Sequence, residues 1–421
     1  MTKCDMIIFG ATGFTGKKVV EELACGYEKY PGITWAVAGR SESKLMSFLN
    51  DISSKTTIDL SSIKVIVADV GDYDSLKTMC SQGRVLLNCC GPYRLYGEPV
   101  VRAAIEAKTH YIDITGEEDF IAKTQMKYDN IARQAGVFVI NACGFDSIPN
   151  DLGVVYLENN FEGTLNSVES YLTFSLAKQN KDETQNRGFI NFGTWESAVY
   201  IFANLPEIFK LRRKLYPKAL PALKPKLHLR FPFHKQNKKW AIPILSPDGS
   251  VVYHTQSRLY DTTKKRPVQF QPYLALPSIS YALILGVLAI FVGILSKFKY
   301  GRDLLLNNPE WFSFGIISKQ GPSQAAIDNT HFTFELIGRG WEKGQDVEAS
   351  APNKTVVAKI SATDPAYGFT SLALVQSAIA ILREKPQMPS VGGVLSPGAA
   401  FWNTSLVTKL KENNVKFEIL K

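Results

Sequence analysis

Apolar and polar positions follow two alternating rhythms through the first third of the chain. Short apolar runs at 4–9, 34–38, 63–69, 84–90, 110–114 and 137–142 have the length of buried strands. Between them, at 15–27, 41–52, 73–82, 97–108 and 119–135, apolar residues recur at helical spacing. Strand and helix in repeated alternation predict an α/β domain over residues 1–150, with a doubly wound parallel sheet covered on both faces.

After residue 150 the pattern changes. A helix is expected at 149–160, a strand from Ser167 to Phe174, a helix near 193–203, and strands at 251–259, 331–341 and 353–363. Residues 151–363 therefore read as a second, mixed α+β domain for substrate or dimerisation. The chain closes with a helix at 366–384, a Pro/Gly-rich turn, a helix at 398–412 and a strand at 415–420. Residues 364–421 are expected to return to the first domain.

Composition fits this picture. The 421 residues are 45% hydrophobic and 21% charged, which excludes a disordered chain, a collagen and a coiled coil. The six cysteines all precede Phe145 and lack zinc-site spacing, as expected of reduced thiols in an intracellular protein. The chain enters a strand at once, with no signal-peptide pattern before it. Net charge is +9, yet residues 208–247 alone hold eleven Lys and Arg and no acidic residue. The basicity is local and needs a local explanation. Between Arg266 and Lys297 there is no charge at all.

The first strand runs into Gly10-Ala11-Thr12-Gly13-Phe14-Thr15-Gly16. Gly10 permits a tight turn, Gly13 lets backbone approach a pyrophosphate, and Gly16 lets the following helix pack closely; Thr12, Phe14 and Thr15 belong to the same cradle. Set between strand and helix, this loop predicts a dinucleotide-binding Rossmann domain. The end of the second strand chooses the cofactor. An acidic residue there would bind the ribose hydroxyls of NAD; this chain has Arg40 and Ser41, suited to the 2′-phosphate of NADP. Asp69 and Val70 end strand three, where the adenine ring is expected. Asn88, Gly91 and Pro92 end strand four beside the cofactor.

GATGFTG, AGRS at 38–41, NCCGPY at 88–93, YIDITGE at 111–117, GFDSIPND at 144–151, DPAYGFTSLALVQSA at 364–378 and GGVLSPGAAF at 392–401 occur in this order. Together they resemble the saccharopine dehydrogenase-like oxidoreductases over nearly the whole chain. The resemblance implies a Rossmann domain with a mixed second domain. A bacterial branch implies enoyl reduction in glycolipid synthesis, and an animal branch implies lipid droplets and membranes.

Asp113, Gly116 and Glu117 end strand five, and Phe145, Asp146 and Ser147 follow strand six, all on the carboxyl edge where ligands bind. Asp113 and Asp146 are the candidates for orienting substrate or relaying a proton. The competing reading has Asp113 fixing a turn and Asp146 and Ser147 capping a helix. Tyr93, Gly116, Glu117, Phe145 and Ser147 are expected to line the substrate cleft. Tyr73 and Lys77 match a Tyr-x-x-x-Lys pair by chance, on a helix too early in the fold. The five histidines are scattered, so no metal is expected.

Residues 274–296 are expected to associate with a membrane, by insertion from one face or as a span, with burial in a core or dimer as the competing reading. Ile279–Leu295 spans roughly 26 Å as a helix, the short limit for a bilayer. Lys264, Lys265 and Arg266 precede it, and Lys297, Lys299 and Arg302 follow. Basic flanks on both sides favour insertion from one face over a span. Leu285, Leu288 and Phe291 form one candidate stripe. The expectation is an NADP-dependent oxidoreductase with a lipid-like substrate, on a membrane or lipid-droplet surface, its domains facing the cytosol. A second copy of the chain is a further candidate partner; nucleic acid is not. A non-catalytic NADP-binding surface protein and a soluble saccharopine-type amino-acid dehydrogenase are the alternatives.

Overall fold

The computed structural model describes residues 3–26, 28–176, 190–217, 220–221, 224–313, 315, 317–319 and 329–420. The first elements are β1 (Cys4–Phe9), α1 (Phe14–Cys25), β2 (Trp35–Gly39), α2 (Glu42–Thr56), β3 (Lys64–Val67), α3 (Tyr73–Cys80), β4 (Gly83–Asn88), α4 (Tyr93–Glu106), β5 (His110–Asp113), α5 (Glu118–Ala135) and β6 (Phe138–Ile140). Next come α6 (Ser147–Asn159), β7 (Gly163–Leu176), β8 (Ile190–Asn191), α7 (Phe192–Leu215), β9 (His234–Gln236), β10 (Lys239–Pro243), α8 (Asp248–Thr263) and β11 (Gln269–Leu276). They are followed by α9 (Ile279–Ser296), α10 (Lys299–Asn307), α11 (Pro309–Phe312), β12 (Ile317–Ser318), β13 (Thr330–Glu342) and β14 (Lys354–Thr363). The chain ends with α12 (Thr370–Arg383), β15 (Gly393–Leu395), α13 (Pro397–Phe401), α14 (Leu406–Glu412) and β16 (Lys416–Leu420).

The chain divides into two compact units. The first comprises residues up to Thr115, Phe120–Ile148 and Ala366–Asn414. Its sheet has seven parallel strands in the order β15-β6-β5-β4-β1-β2-β3. Order reverses beside β1, which makes its carboxyl end a topological switch point. Helices cover the sheet, so Met6, Ile7 and Ile8 of β1 are all fully buried, as expected of a parallel strand flanked on both faces. The helices start on local signals: Ser41 Oγ accepts the Lys44 N–H at α2, and Asp72 accepts from Asp74 and Ser75 at α3. Each such cap is worth about 1 kcal/mol. The apolar α12 is almost wholly buried, against α1, β4 and β5.

The second unit comprises Gly116–Asp119, Pro149–Pro365 and the residues from Val415. Its mixed sheet has the order β16-β14-β13-β7-β11-β10-β9, antiparallel except between β7 and β11. A separate group joins α7, α9, α10 and the small β8–β12 pair around Trp195, Val199, Val292, Leu305 and Ile317. Trp195 Nε1 fixes it by donating to Leu305 O at 3.0 Å.

Several sequence expectations need correction. The stretch 251–259 is not a strand but part of α8. Its Val-Val pair suggests β structure, yet the buried Asp248, Val251, Val252 and Thr255 stand at helical spacing. The first sheet has a seventh strand, β15, only three residues long, inside the stretch expected to be a turn. The helix expected at 398–412 is two short helices, α13 and α14. The last strand does not return to the first domain: β16 pairs antiparallel with β14.

Candidate functional site

The carboxyl ends of β1, β2 and β4 are tied together in the first unit. Gly10 N–H donates to Ala38 O at 3.0 Å, and Cys89 N–H donates to Phe9 O at 2.8 Å. Gly10 has φ +81°, and a Cβ there would lie 3.0 Å from the Cys89 carbonyl carbon. Gly16 is tighter still: its Cβ would stand 2.2 Å from Gly10 O. Helix and turn can only approach this closely without side chains. Thr12, Gly13 and Phe14 form an exposed crest, with Thr15 half-buried. Gly13 is the N-cap of α1 and supplies no side-chain acceptor. A helix start without a side-chain cap suits an anion, with the helix dipole behind it. The Phe14 ring stands 6.1 Å from Tyr367.

Arg40 is exposed and makes no ion pair among the described residues. Glu42, the acidic neighbour, is also exposed, in the first turn of α2. Burial raises the Cys90 thiol pKa, opposed by the Arg40 charge and reinforced by Asp69. Arg40, Asp69 and Cys90 thus share one rim. Ser41 is already used as a cap, and its hydroxyl shares a further hydrogen bond with Ser43 Oγ at 3.0 Å. Asp69 Oδ1 accepts the Gly71 N–H at 2.8 Å and so shapes its own turn; Val70 packs against the core.

Beneath that rim lies a buried polar network. Asn88 Nδ2 donates to Tyr111 Oη at 3.0 Å, and Asn88 Oδ1 accepts the Cys90 N–H at 3.0 Å. Tyr111 donates to Asp113 Oδ2 at 2.9 Å, and Asn141 Nδ2 donates to the same oxygen at 2.7 Å. The other oxygen, Oδ1, accepts the Thr115 and Ala142 N–H groups at 3.1 and 3.0 Å. Burial raises the Asp113 pKa to about 6, against the pull of those four donors. Asp113 is fully buried, and its carboxylate joins the turns after β5 and β6. Asn141 and Tyr111, both missed in the sequence, complete the network. For Asn141 the signal was a polar side chain directly after a buried strand; Tyr111, inside β5, gave none.

Tyr93 also departs from expectation. It is 6% exposed, part of the apolar core, and its hydroxyl donates to Asn88 O at 2.8 Å. A side chain so enclosed does not line a cleft. Gly91 and Pro92 form a cis peptide just before it. Phe145 is half-buried; its N–H donates to Thr370 Oγ1 at 3.0 Å and its ring meets Phe369 edge-on at 6.5 Å. Asp146 takes a left-handed φ of 72°, and Ser147 is buried. Gly116 and Glu117 belong to the second unit, Glu117 being 6% exposed. The structure therefore collects the glycine loop, Arg40, Asp69, Asn88 and Gly91–Pro92 along one sheet edge.

The saccharopine dehydrogenase NADP-binding domain matches residues 6–140. The human saccharopine dehydrogenase-like oxidoreductase is 38% identical, over 99% of this chain and 97% of the human one. This chain belongs to the saccharopine dehydrogenase-like oxidoreductase family. NADP is the cofactor of its first domain. A Caenorhabditis elegans relative called lipid droplet localized protein is 34% identical over 100% of this chain and 99% of its own. Among solved structures, apo saccharopine dehydrogenase (L-Glu forming) of Saccharomyces cerevisiae aligns with a TM-score of 0.58 at 14% identity. It covers 99% of this chain and all of its own, so the fold is shared throughout. The glycines at the closest approaches, the uncapped helix start and the uncommitted Arg40 all fit NADP. Among the described residues no group of His, Cys, Asp and Glu could hold a metal ion.

The second unit of this family member also carries an apolar surface. The helix α9 has a mean hydropathy of 2.5, yet only 17% of it is buried. Val292 and Ser296 face the interior, while Val287, Ile290 and Ile294 are 68%, 66% and 54% exposed. A groove of about 430 Å³ runs beside it, lined by Leu283, Ile284, Val287, Phe291, Trp311 and Phe312 among others. The other apolar helix long enough to attract notice, 365–383, is 83% buried and is a core element.

Proposed function

We propose that the protein is an NADPH-using oxidoreductase that works at a membrane or lipid-droplet surface on a lipid-like substrate. The single observation that carries this reading is the exposed apolar face of α9 on a chain whose first domain binds NADP. An apolar helix left open to water on one side needs a hydrocarbon phase or another apolar surface. Lys297, Lys299 and Arg302 follow α9, and Lys235, Lys238 and Lys239 stand on the β9–β10 hairpin that packs near it. Cations at both ends suit anionic headgroups, at about 1 kcal/mol for each basic side chain near the surface. Tyr300 and Trp311, 80% and 86% exposed, suit the interfacial layer.

In this reading Gly10, Thr12, Gly13, Phe14, Thr15 and Gly16 cradle the pyrophosphate. Arg40 and Ser41 bind the 2′-phosphate, with Asp69 and Val70 near the adenine. Asn88, Gly91 and Pro92 shape the wall beside the nicotinamide. The cofactor supplies hydride chemistry; the protein positions and desolvates the reacting centres. Asp146, held in a left-handed turn, is left as the proton-handling candidate once Asp113 is committed to structure.

That commitment also favours a second reading: an NADP-binding surface protein without turnover. A soluble amino-acid dehydrogenase is disfavoured by α9. Oxidation of NADPH by purified protein in the presence of extracted membrane lipid separates the readings. Lipid-dependent oxidation supports the enzyme; tight NADPH binding with no oxidation supports the second reading. Failure to float with lipid would refute the surface assignment.

A further inference from the structure

The basic block holds a strap, residues 224–233, laid along one face of the second sheet. Asn166 Nδ2 and Gln269 Nε2 each donate to Pro225 O at 3.0 Å. The Leu227 N–H donates to Gln269 Oε1 at 2.8 Å, and the Arg230 N–H donates to Tyr273 Oη at 3.1 Å. Ser167 and Glu169 share one face of β7, and the register sets Gln269 of β11 and Arg339 of β13 beside Ser167. Strap and strands enclose a concavity of about 280 Å³, lined by Asn166, Ser167, Lys226, His228, Arg230 and Arg339 among others.

Glu169 organises it. Its side chain is fully buried, and Oε2 accepts from Arg230 Nη2 at 2.9 Å and from Arg339 Nη1. One carboxylate thus sets two guanidiniums side by side, which is costly unless their geometry is used. Both arginine side chains remain more than a third exposed, at 40% and 36%. Neither guanidinium makes another hydrogen bond among the described residues, so most of its donors are uncommitted. With Lys226 the three cations exceed Glu169 by two charges. That balance matches a phosphate dianion, whose several acceptor oxygens can take two forks and an ammonium, better than a carboxylate. Leu229 and Phe231 on the same strap are 52% and 77% exposed, so a phosphate carried on an apolar molecule would also find contacts.

We propose that this concavity binds a phosphate group, as inorganic phosphate or as the headgroup phosphate of a lipid. The site lies wholly within the second unit and does not depend on the reading of the nucleotide loop. The test uses full-length protein saturated with NADP, so that the nucleotide site takes up no added phosphate. Calorimetry with inorganic phosphate is one arm. Flotation with phosphatidylcholine vesicles, with and without phosphatidic acid, is the other. Lys226→Gln/His228→Gln alters two exposed side chains and leaves the Glu169 pairs intact; NADPH affinity, measured alongside, should not change. Arg339→Gln is the second variant, with circular dichroism to confirm its fold.

Wild-type protein should bind phosphate, and the double variant should bind about tenfold more weakly, the effect of losing one charge-assisted contact. If a lipid supplies the phosphate, wild type should prefer vesicles with phosphatidic acid and the double variant should lose that preference. If the ligand is a free phosphate, only the calorimetric arm should change. Two results would overturn the proposal: no phosphate binding and no vesicle preference in wild type, or equal binding by wild type and both variants.

Discussion

Removing the Asp113 carboxylate should damage folding of the first unit before it affects chemistry. Asp113→Ala leaves the Thr115 and Ala142 N–H groups, Asn141 Nδ2 and the Tyr111 hydroxyl without their common acceptor. A buried donor left unsatisfied costs about 1–3 kcal/mol, and water entering the vacated space recovers part of this, so a loss of about 3–5 kcal/mol is expected. Asp113→Asn should cost less, about 1–2 kcal/mol. Its carbonyl can still serve the two backbone donors. Asn141 Oδ1, buried without a hydrogen-bond partner, can turn to accept from the new amide. The ionised carboxyl adds a pH signature. Its folded pKa, about 6, lies above the ordinary 3.8, so the folded state binds the proton more tightly. Stability from this group therefore rises as pH falls from about 6 towards 4, by up to about 3 kcal/mol, and Asp113→Asn removes that rise. Urea unfolding from pH 4 to 8, with amide exchange at Thr115 and Ala142, measures both effects. The reasoning is refuted if Asp113→Ala unfolds like wild type and binds NADPH normally but loses turnover, because the carboxylate would then be catalytic.

Arg40→Ala should weaken NADPH about ten- to a hundredfold and leave NADH unchanged, since only the 2′-phosphate contact is removed; calorimetry with both nucleotides checks this. Gly13→Val should abolish nucleotide binding while the second unit stays folded, because a branched side chain would fill the exposed crest; native NADPH affinity in this variant would mean the loop is misread. Substituting Asp at Val287, Ile290 and Ile294 together should move the protein from the membrane to the soluble fraction, at roughly 2.5–3.5 kcal/mol per charge placed in hydrocarbon. Circular dichroism should show no loss of helix, because these residues face outward; continued membrane pelleting would exclude α9 as the anchor.

The strands β1 to β6 were legible because a parallel sheet buried on both faces imposes short, nearly unbroken apolar runs, and because glycines at Gly10 and Gly16 answer steric demands that no other residue meets. What escaped was short or held by partners distant in sequence. Three residues, the first a glycine preceded by another, carry no strand signal; β15 exists because its backbone pairs with β6. The final strand alternates as strands do, but nothing in Lys416–Leu420 says which sheet it joins. Pairing partners are a tertiary property. Helix α8 was misread for a related reason: β-branched residues outweighed a helical spacing visible only once the burial of Asp248 and Thr255 was known.

At the site, the sequence marks residue types and positions but carries no measure of burial. The glycine crest and Arg40 stand out because their residue types suit a phosphate contact that folding alone does not demand. Asp113 and Tyr93 stand at the same sheet edge, and position alone suggests chemistry for both. Burial sets both apart from the exposed loop, because a carboxylate with four donors and a phenol bonded to a strand carbonyl have their polar atoms already engaged. The same logic governs α9. Its apolar composition gave the membrane reading but not its orientation, since Leu285, Leu288 and Phe291 satisfy helical spacing as well as any other stripe. In the fold Leu288 packs towards Trp195 and Val292, while Val287, Ile290 and Ile294 face outward. Charge at Leu288 would test the packing of the helix group; charge on the outward stripe tests the surface that hydrocarbon would cover.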